Sequence, residues 1–120
     1  MTKKQERSAW PLRPFAWETM WVMALFDLPV DKPESRKQYT RFRKELLKDG
    51  FTMMQYSVYQ RHCASLENAQ VHIHRMGAEV PAQGEVRFLV ITDHQYGKIL
   101  TFRGKKRAPE PQQPAQLEFF

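Results

Sequence analysis

The stretch Trp21-Val-Met-Ala-Leu-Phe-Asp27-Leu-Pro29 tells most about how this chain folds. Seven of the eight residues 21–28 are apolar, and the exception, Asp27, stands one place from the end. β-branched and aromatic side chains in a short apolar run favour an extended strand buried on both faces. Pro29 ends the pairing, because it has no N–H to offer a neighbouring strand. A carboxylate therefore lies where a central strand leaves the core, a position that open sheets use for ligands. Asp27 is either a turn-maker or the functional centre.

The chain has 120 residues, which is enough for one domain with a modest core. Lys and Arg number 19 against 13 Asp and Glu, a formal charge of +6, and that excess suggests a polyanionic partner. The only cysteine, Cys63, excludes an internal disulfide and a multi-thiolate zinc site, and it fits a reducing compartment. No apolar run approaches the ~20 residues needed to span a bilayer. No signal-type stretch precedes the first strand, so a cytoplasmic location is expected.

Residues 1–19, basic and broken by Pro11 and Pro14, read as an extension, residues 20–104 as the folded domain and residues 105–120 as a tail. A first strand is predicted over 20–28. Asp31 is the expected cap of a helix with Pro33 in its first turn, running to about residue 49 and stopped by Gly50. Tyr39, Phe42 and Leu46 form its core stripe. Lys37, Arg41, Lys44 and Lys48 lie on the opposite side, with Arg36 and Arg43 flanking the buried edge, and a plain solvated face is the alternative for this stripe. Residues 51–61 carry no Gly, Pro or Asn, so one long strand, or two joined by a kink near Gln55, is expected instead of a tight hairpin. Ser65 caps a second helix to about residue 78, residues 85–92 form another strand with Asp93 at its exit, and residues 98–102 a short edge strand. Arg103, Lys105, Lys106 and Arg107 make a basic cluster before a Pro/Gln-rich linker and an apolar Leu117-Glu-Phe-Phe120.

With right-handed crossovers this order is the split β-α-β of a ferredoxin-like α+β domain, an antiparallel sheet with two helices on one face. A partly apolar opposite face would be completed by a second copy, so a homodimer is expected.

Phe26-Asp27 ending the first strand, Gly50-Phe51, Gln55-Tyr-Ser-Val-Tyr59 and Thr92-Asp93-x-Gln95 together resemble the CRISPR-associated protein two family, the small partner of the CRISPR integrase in spacer acquisition. The resemblance covers residues 22–102, and the Gln-Tyr-Ser-Val-Tyr segment is its most specific part. Two departures stand out: the long stretch ahead of the first strand, and a tail whose closing residues resemble those that add a strand to the integrase or the dimer. The resemblance implies a homodimer that bridges two integrase dimers and binds double-stranded DNA destined to become a spacer. It also implies that some members are metal-dependent endonucleases on RNA or DNA, with the aspartate matching Asp27 as magnesium ligand, one from each subunit.

One carboxylate per chain is too few for a hard cation, which takes about six oxygens. Two Asp27 side chains meeting at a dimer axis would repel unless a cation lay between them, and Mg²⁺ there could activate water against a phosphodiester. Ser57 and Tyr56 are weaker candidates, able to contact phosphate or the aspartate. Phosphate contacts are expected from Arg36, Lys37, Arg41, Arg43 and Lys44, with Arg61 and the Arg103/Lys105/Lys106/Arg107 cluster in addition. His72 and His74 point to different faces of one helix, and His62 and Cys63 to opposite faces of one strand, so neither pair is read as a metal site. An RRM-type aromatic platform lacks its signature in the central strand. DNA-binding scaffold, metal-dependent nuclease and plain regulatory dimer thus stand as three readings.

Overall fold

A computed structural model describes residues 18–109, and the fold and contacts are those of these residues. The expectations for the tail beyond residue 109 and for most of the N-terminal extension lie outside them. The chain forms an antiparallel α+β sandwich: β1 Met20–Asp27, α1 Pro33–Lys48, β2 Thr52–Gln55, β3 Val58–Cys63, α2 Leu66–Gly77, β4 Glu85–Thr92, a short α3 Asp93–Tyr96, and two two-residue strands, β5 Phe102–Arg103 and β6 Lys106–Arg107. The main sheet has the order β2-β3-β1-β4. β1 is its spine, antiparallel to β3 (Ala24 opposite Tyr59) and to β4 (Ala24 opposite Phe88).

Alternation along β1 sorts its side chains onto two layers. Met20, Val22, Ala24 and Phe26 join Phe42 and Leu46 of α1 and Ala69 and Met76 of α2 in the main core. Phe26 is its aromatic hub, with ring centroids 5.4 Å from Phe42 and 5.6 Å from Tyr59. On the opposite face Trp21 and Met23 are covered by Tyr96 of α3, whose ring lies parallel to Trp21 at 3.7 Å. The cover stops there. Leu25 and Asp27 are exposed, so β1 is buried on both faces only over its first five residues.

The N-cap of α1 is Lys32, not Asp31, and no side chain among the described residues caps it. Pro33 at the first helical position explains this, since the residue before proline is held extended and proline is already set for the first turn. The helix ends as expected at Gly50, whose φ is +96°. The N–H groups of Gly50 and Phe51 donate back to the carbonyls of Leu47 and Leu46, a paired closure that also drives Phe51 into the core. α2 is capped as read from the sequence, Ser65 Oγ accepting from the Asn68 N–H at 3.1 Å.

Residues 51–61 depart from expectation. β2 and β3 form a tight hairpin around Tyr56-Ser57, with Gln55 opposite Val58. Ser57 takes a φ of +65°, the left-handed conformation that Gly or Asn usually signals in such turns. Its cost, of order 1 kcal/mol or more, is offset by tertiary bonds. The Ser57 carbonyl accepts from the Phe26 N–H at 3.0 Å, and its hydroxyl meets Tyr39 Oη at 3.2 Å. A register shift between Met53 and Gln55 absorbs the remaining mismatch.

The expected edge strand over 98–102 is also replaced. The chain turns through α3, closed by a reciprocal cap between Thr92 and Gln95, and only Phe102–Arg103 is extended. It pairs locally with Lys106–Arg107 around Gly104, so the basic cluster forms a small separate hairpin that straddles the boundary expected after residue 104.

Candidate nucleic-acid interface

Asp27 ends β1 on the face away from α1 and α2, directly across from Glu85 at the start of β4. Glu85 is engaged by Arg87 at 3.0 Å. Asp27 is exposed, and its carboxylate makes no hydrogen bond or ion pair among the described residues, so it does not tie down the turn that follows it. That turn is held by packing. Leu28 is buried beneath Gly84, whose φ is +101°, and a Cβ there would stand 2.6 Å from Leu28 Cδ2 and 3.0 Å from the Asp27 carbonyl.

No group of three or more His, Cys, Asp or Glu able to hold a metal occurs among the described residues. An unpaired exposed carboxylate is a suitable hard oxygen donor, but one chain does not complete a coordination shell.

The cations expected to meet phosphate fall into two groups. Arg36, Lys37 and Lys44 are exposed on α1 with Thr40 between them, and Lys37 and Lys44 make no hydrogen bond or ion pair among the described residues. Arg36 donates once, to the Val30 carbonyl at 3.1 Å. Arg41 is tied to Glu79, at 2.9 Å to its carboxylate and 2.7 Å to its carbonyl. Arg43 spends its Nε–H on Tyr59 Oη at 2.7 Å. Arg61 is half-buried on the helix-facing side of β3, its guanidinium packed against Gly50 just past the end of α1, apart from the exposed Lys37 and Lys44. Arg103, Lys105, Lys106 and Arg107 are exposed on the terminal hairpin. Ser57 sits near the same sheet end as Asp27, with its hydroxyl engaged by Tyr39.

Several connections lie between residues distant in sequence. Tyr39 and Tyr56 stack with centroids 6.1 Å apart and planes 23° from parallel, and the Tyr56 phenol is held above its ordinary pKa chiefly by hydrogen bonding with the Tyr39 phenol. Trp21 Nε1–H donates to Asp93 Oδ1 at 2.9 Å. Beside it burial pushes the His62 imidazole down, against the pull of Asp93. Burial likewise pushes the Cys63 thiol up, which argues against a reactive thiolate.

The site is thus an antiparallel α+β domain with a free strand-end carboxylate on one face and a lysine-bearing helix on another. Residues 20–99 match the family described as CRISPR associated protein Cas2. The chain belongs to that family. It is 69% identical over 101 residues to the CRISPR-associated endoribonuclease Cas2 of Parvibaculum lavamentivorans, covering 84% of this chain and 100% of that protein. The protein of that name from Flavobacterium psychrophilum is 42% identical, over 87% of this chain and 90% of its own. The Rhodospirillum rubrum protein called CRISPR-associated endoribonuclease Cas2 2 is 43% identical, over 89% and 99%. A solved structure titled as the crystal structure of cas2 shares the fold with a TM-score of 0.52 at 20% identity, covering 80% of this chain and 99% of that one. No helix among the described residues is long and apolar enough to cross a membrane.

Proposed function

We propose that this protein serves CRISPR spacer acquisition as a ferredoxin-like homodimer that holds double-stranded DNA by its phosphates and bridges dimers of the CRISPR integrase. The observation that carries the reading, within the Cas2 family, is the row of exposed cations on α1, of which Lys37 and Lys44 have no acidic partner among the described residues. Contacts of that kind position a duplex without reading its sequence, as a protein accepting any foreign DNA requires. The β2-β3-β1-β4 order with α1 and α2 on one side supports the ferredoxin-like description. The apolar side chains left open beyond α3, Leu25 and Leu89, support a face that a second copy covers. A cytoplasmic setting agrees with the single reduced, buried cysteine.

A second reading is metal-dependent endonuclease activity, and one observation favours it: Asp27 is exposed, unpaired among the described residues and at a strand end in a chain whose relatives are named endoribonucleases. Asp27 from each of two subunits would hold the ion, Mg²⁺ being the hard cation that suits oxygen donors. Such an ion supplies Lewis acidity at a phosphodiester and lowers the pKa of bound water. The chain's own part is to keep the carboxylate in place through β1 and the Leu28–Gly84 contact.

The test is spacer acquisition in cells carrying the integrase and a CRISPR array. Full activity of Asp27→Ala supports the scaffold. Lost activity, with dimerisation and DNA binding intact, supports metal chemistry at Asp27.

A further inference from the structure

Tyr56 is 79% exposed, the most open of the large apolar and aromatic side chains among the described residues, yet it has a fixed neighbour. Its ring makes an offset stack with Tyr39, centroids 6.1 Å apart, and the Tyr39 hydroxyl is in turn fixed on Ser57 Oγ. The turn that presents it is set by the left-handed Ser57 and by the Phe26-to-Ser57 backbone bond. A strained turn that over-determines an outward aromatic ring is the kind of feature found at ligand clamps. Arg43 lies close enough to Tyr56 to act on its phenol. Arg36 and Arg43 flank Tyr39 at i−3 and i+4, which places all three along one side of α1. Among the described residues each guanidinium makes one hydrogen bond, so several of its five N–H donors remain to meet an anion. A largely open planar ring, steadied at one side by Tyr39 and with guanidinium groups on the neighbouring side of α1, suits a base with its adjoining phosphates better than an apolar protein surface.

We propose that Tyr56 is a stacking platform for an unpaired nucleobase, with Arg36 and Arg43 holding the neighbouring phosphates. This rests on the nucleic-acid reading above and adds the class of nucleotide recognised. The base can come from single-stranded RNA or from the overhang of a DNA duplex.

The experiment measures anisotropy of labelled oligonucleotides with the full chain: single-stranded RNA, a duplex with overhangs, a blunt duplex, and a single strand abasic at the labelled end. Because Tyr56 is exposed, its variants leave the core intact. Tyr56→Ala is expected to weaken single-stranded or overhang binding on the order of tenfold, while blunt-duplex affinity and oligomeric state stay unchanged. Tyr56→Phe retains binding, Tyr56→Leu does not, and the abasic strand erases the difference between wild type and Tyr56→Ala. Equal weakening on the blunt duplex, rescue by Leu, or loss that tracks dissociation of the oligomer overturns the platform. If wild type binds every probe and Tyr56→Ala matches it, the platform alone fails. If wild type binds none, the nucleic-acid reading fails with it.

Discussion

The carboxylate of Asp49, at the end of α1, accepts from His72 Nδ1 of α2 at 2.7 Å and from Arg75 Nη1 at 2.6 Å. Both partners of the first bond are nearly buried, so this is the polar rivet between the two helices. Asp49→Ala leaves the buried imidazole nitrogen without its acceptor and is expected to cost about 1–3 kcal/mol. Arg75 is more than half exposed and adds little of that. Urea unfolding of Asp49→Ala and Arg75→Ala checks the order: the first shifts the midpoint strongly, the second barely.

Gly84 bears directly on the candidate site. Its positive φ and its contact with Leu28 leave no room for a side chain beside the backbone of Asp27. Gly84→Ala should destabilise by about 1–3 kcal/mol and displace the end of β1. Thermal unfolding reads the first effect, and loss of whatever activity Asp27 carries reads the second. A fully stable, fully active Gly84→Ala would show that the turn tolerates the shift.

His62 makes stability depend on pH. Burial lowers its folded-state pKa, so below the ordinary value of about 6.5 the unfolded chain takes up a proton more readily than the folded one. The stability is therefore complete above that pH and is lost as pH falls toward the folded pKa. His62→Gln removes this component. Melting temperatures between about pH 7 and pH 5 should fall more steeply for wild type than for the variant.

The main framework was legible because its signals are long and periodic. Seven apolar residues with Pro29 behind them define β1, and Gly50 and Ser65 mark helix ends by conformations and bonds that few residue types supply. Asp27 stood out because a lone carboxylate at the end of an apolar strand is conspicuous. The Tyr56-Ser57 turn did not, since serine at a positive φ carries no local signal and is held by Tyr39 and Phe26 from elsewhere in the chain. α3 is only four residues long, although Thr92 and Gln95 have the spacing of a reciprocal cap and could have announced it. The basic residues could be found but not ranked, because what separates Lys44 from Arg41 is Glu79, nearly forty positions away.

That ranking is itself a prediction. Arg41 is already neutralised by Glu79 and Arg61 is half-buried against Gly50, so Arg41→Ala and Arg61→Ala should change DNA affinity less than Lys37→Ala or Lys44→Ala. Competition binding with a single duplex at fixed salt orders the four variants. Arg61→Ala exceeding Lys44→Ala would place the duplex elsewhere.

The most direct measurement is duplex DNA affinity across a salt series for wild type and for the double variant Lys37→Ala/Lys44→Ala. A phosphate-binding α1 predicts weaker binding and a slope of log affinity against log salt that is shallower by about 0.9 for each lost contact. An unchanged slope would mean that the stripe is a solvated helix face and would contradict the account.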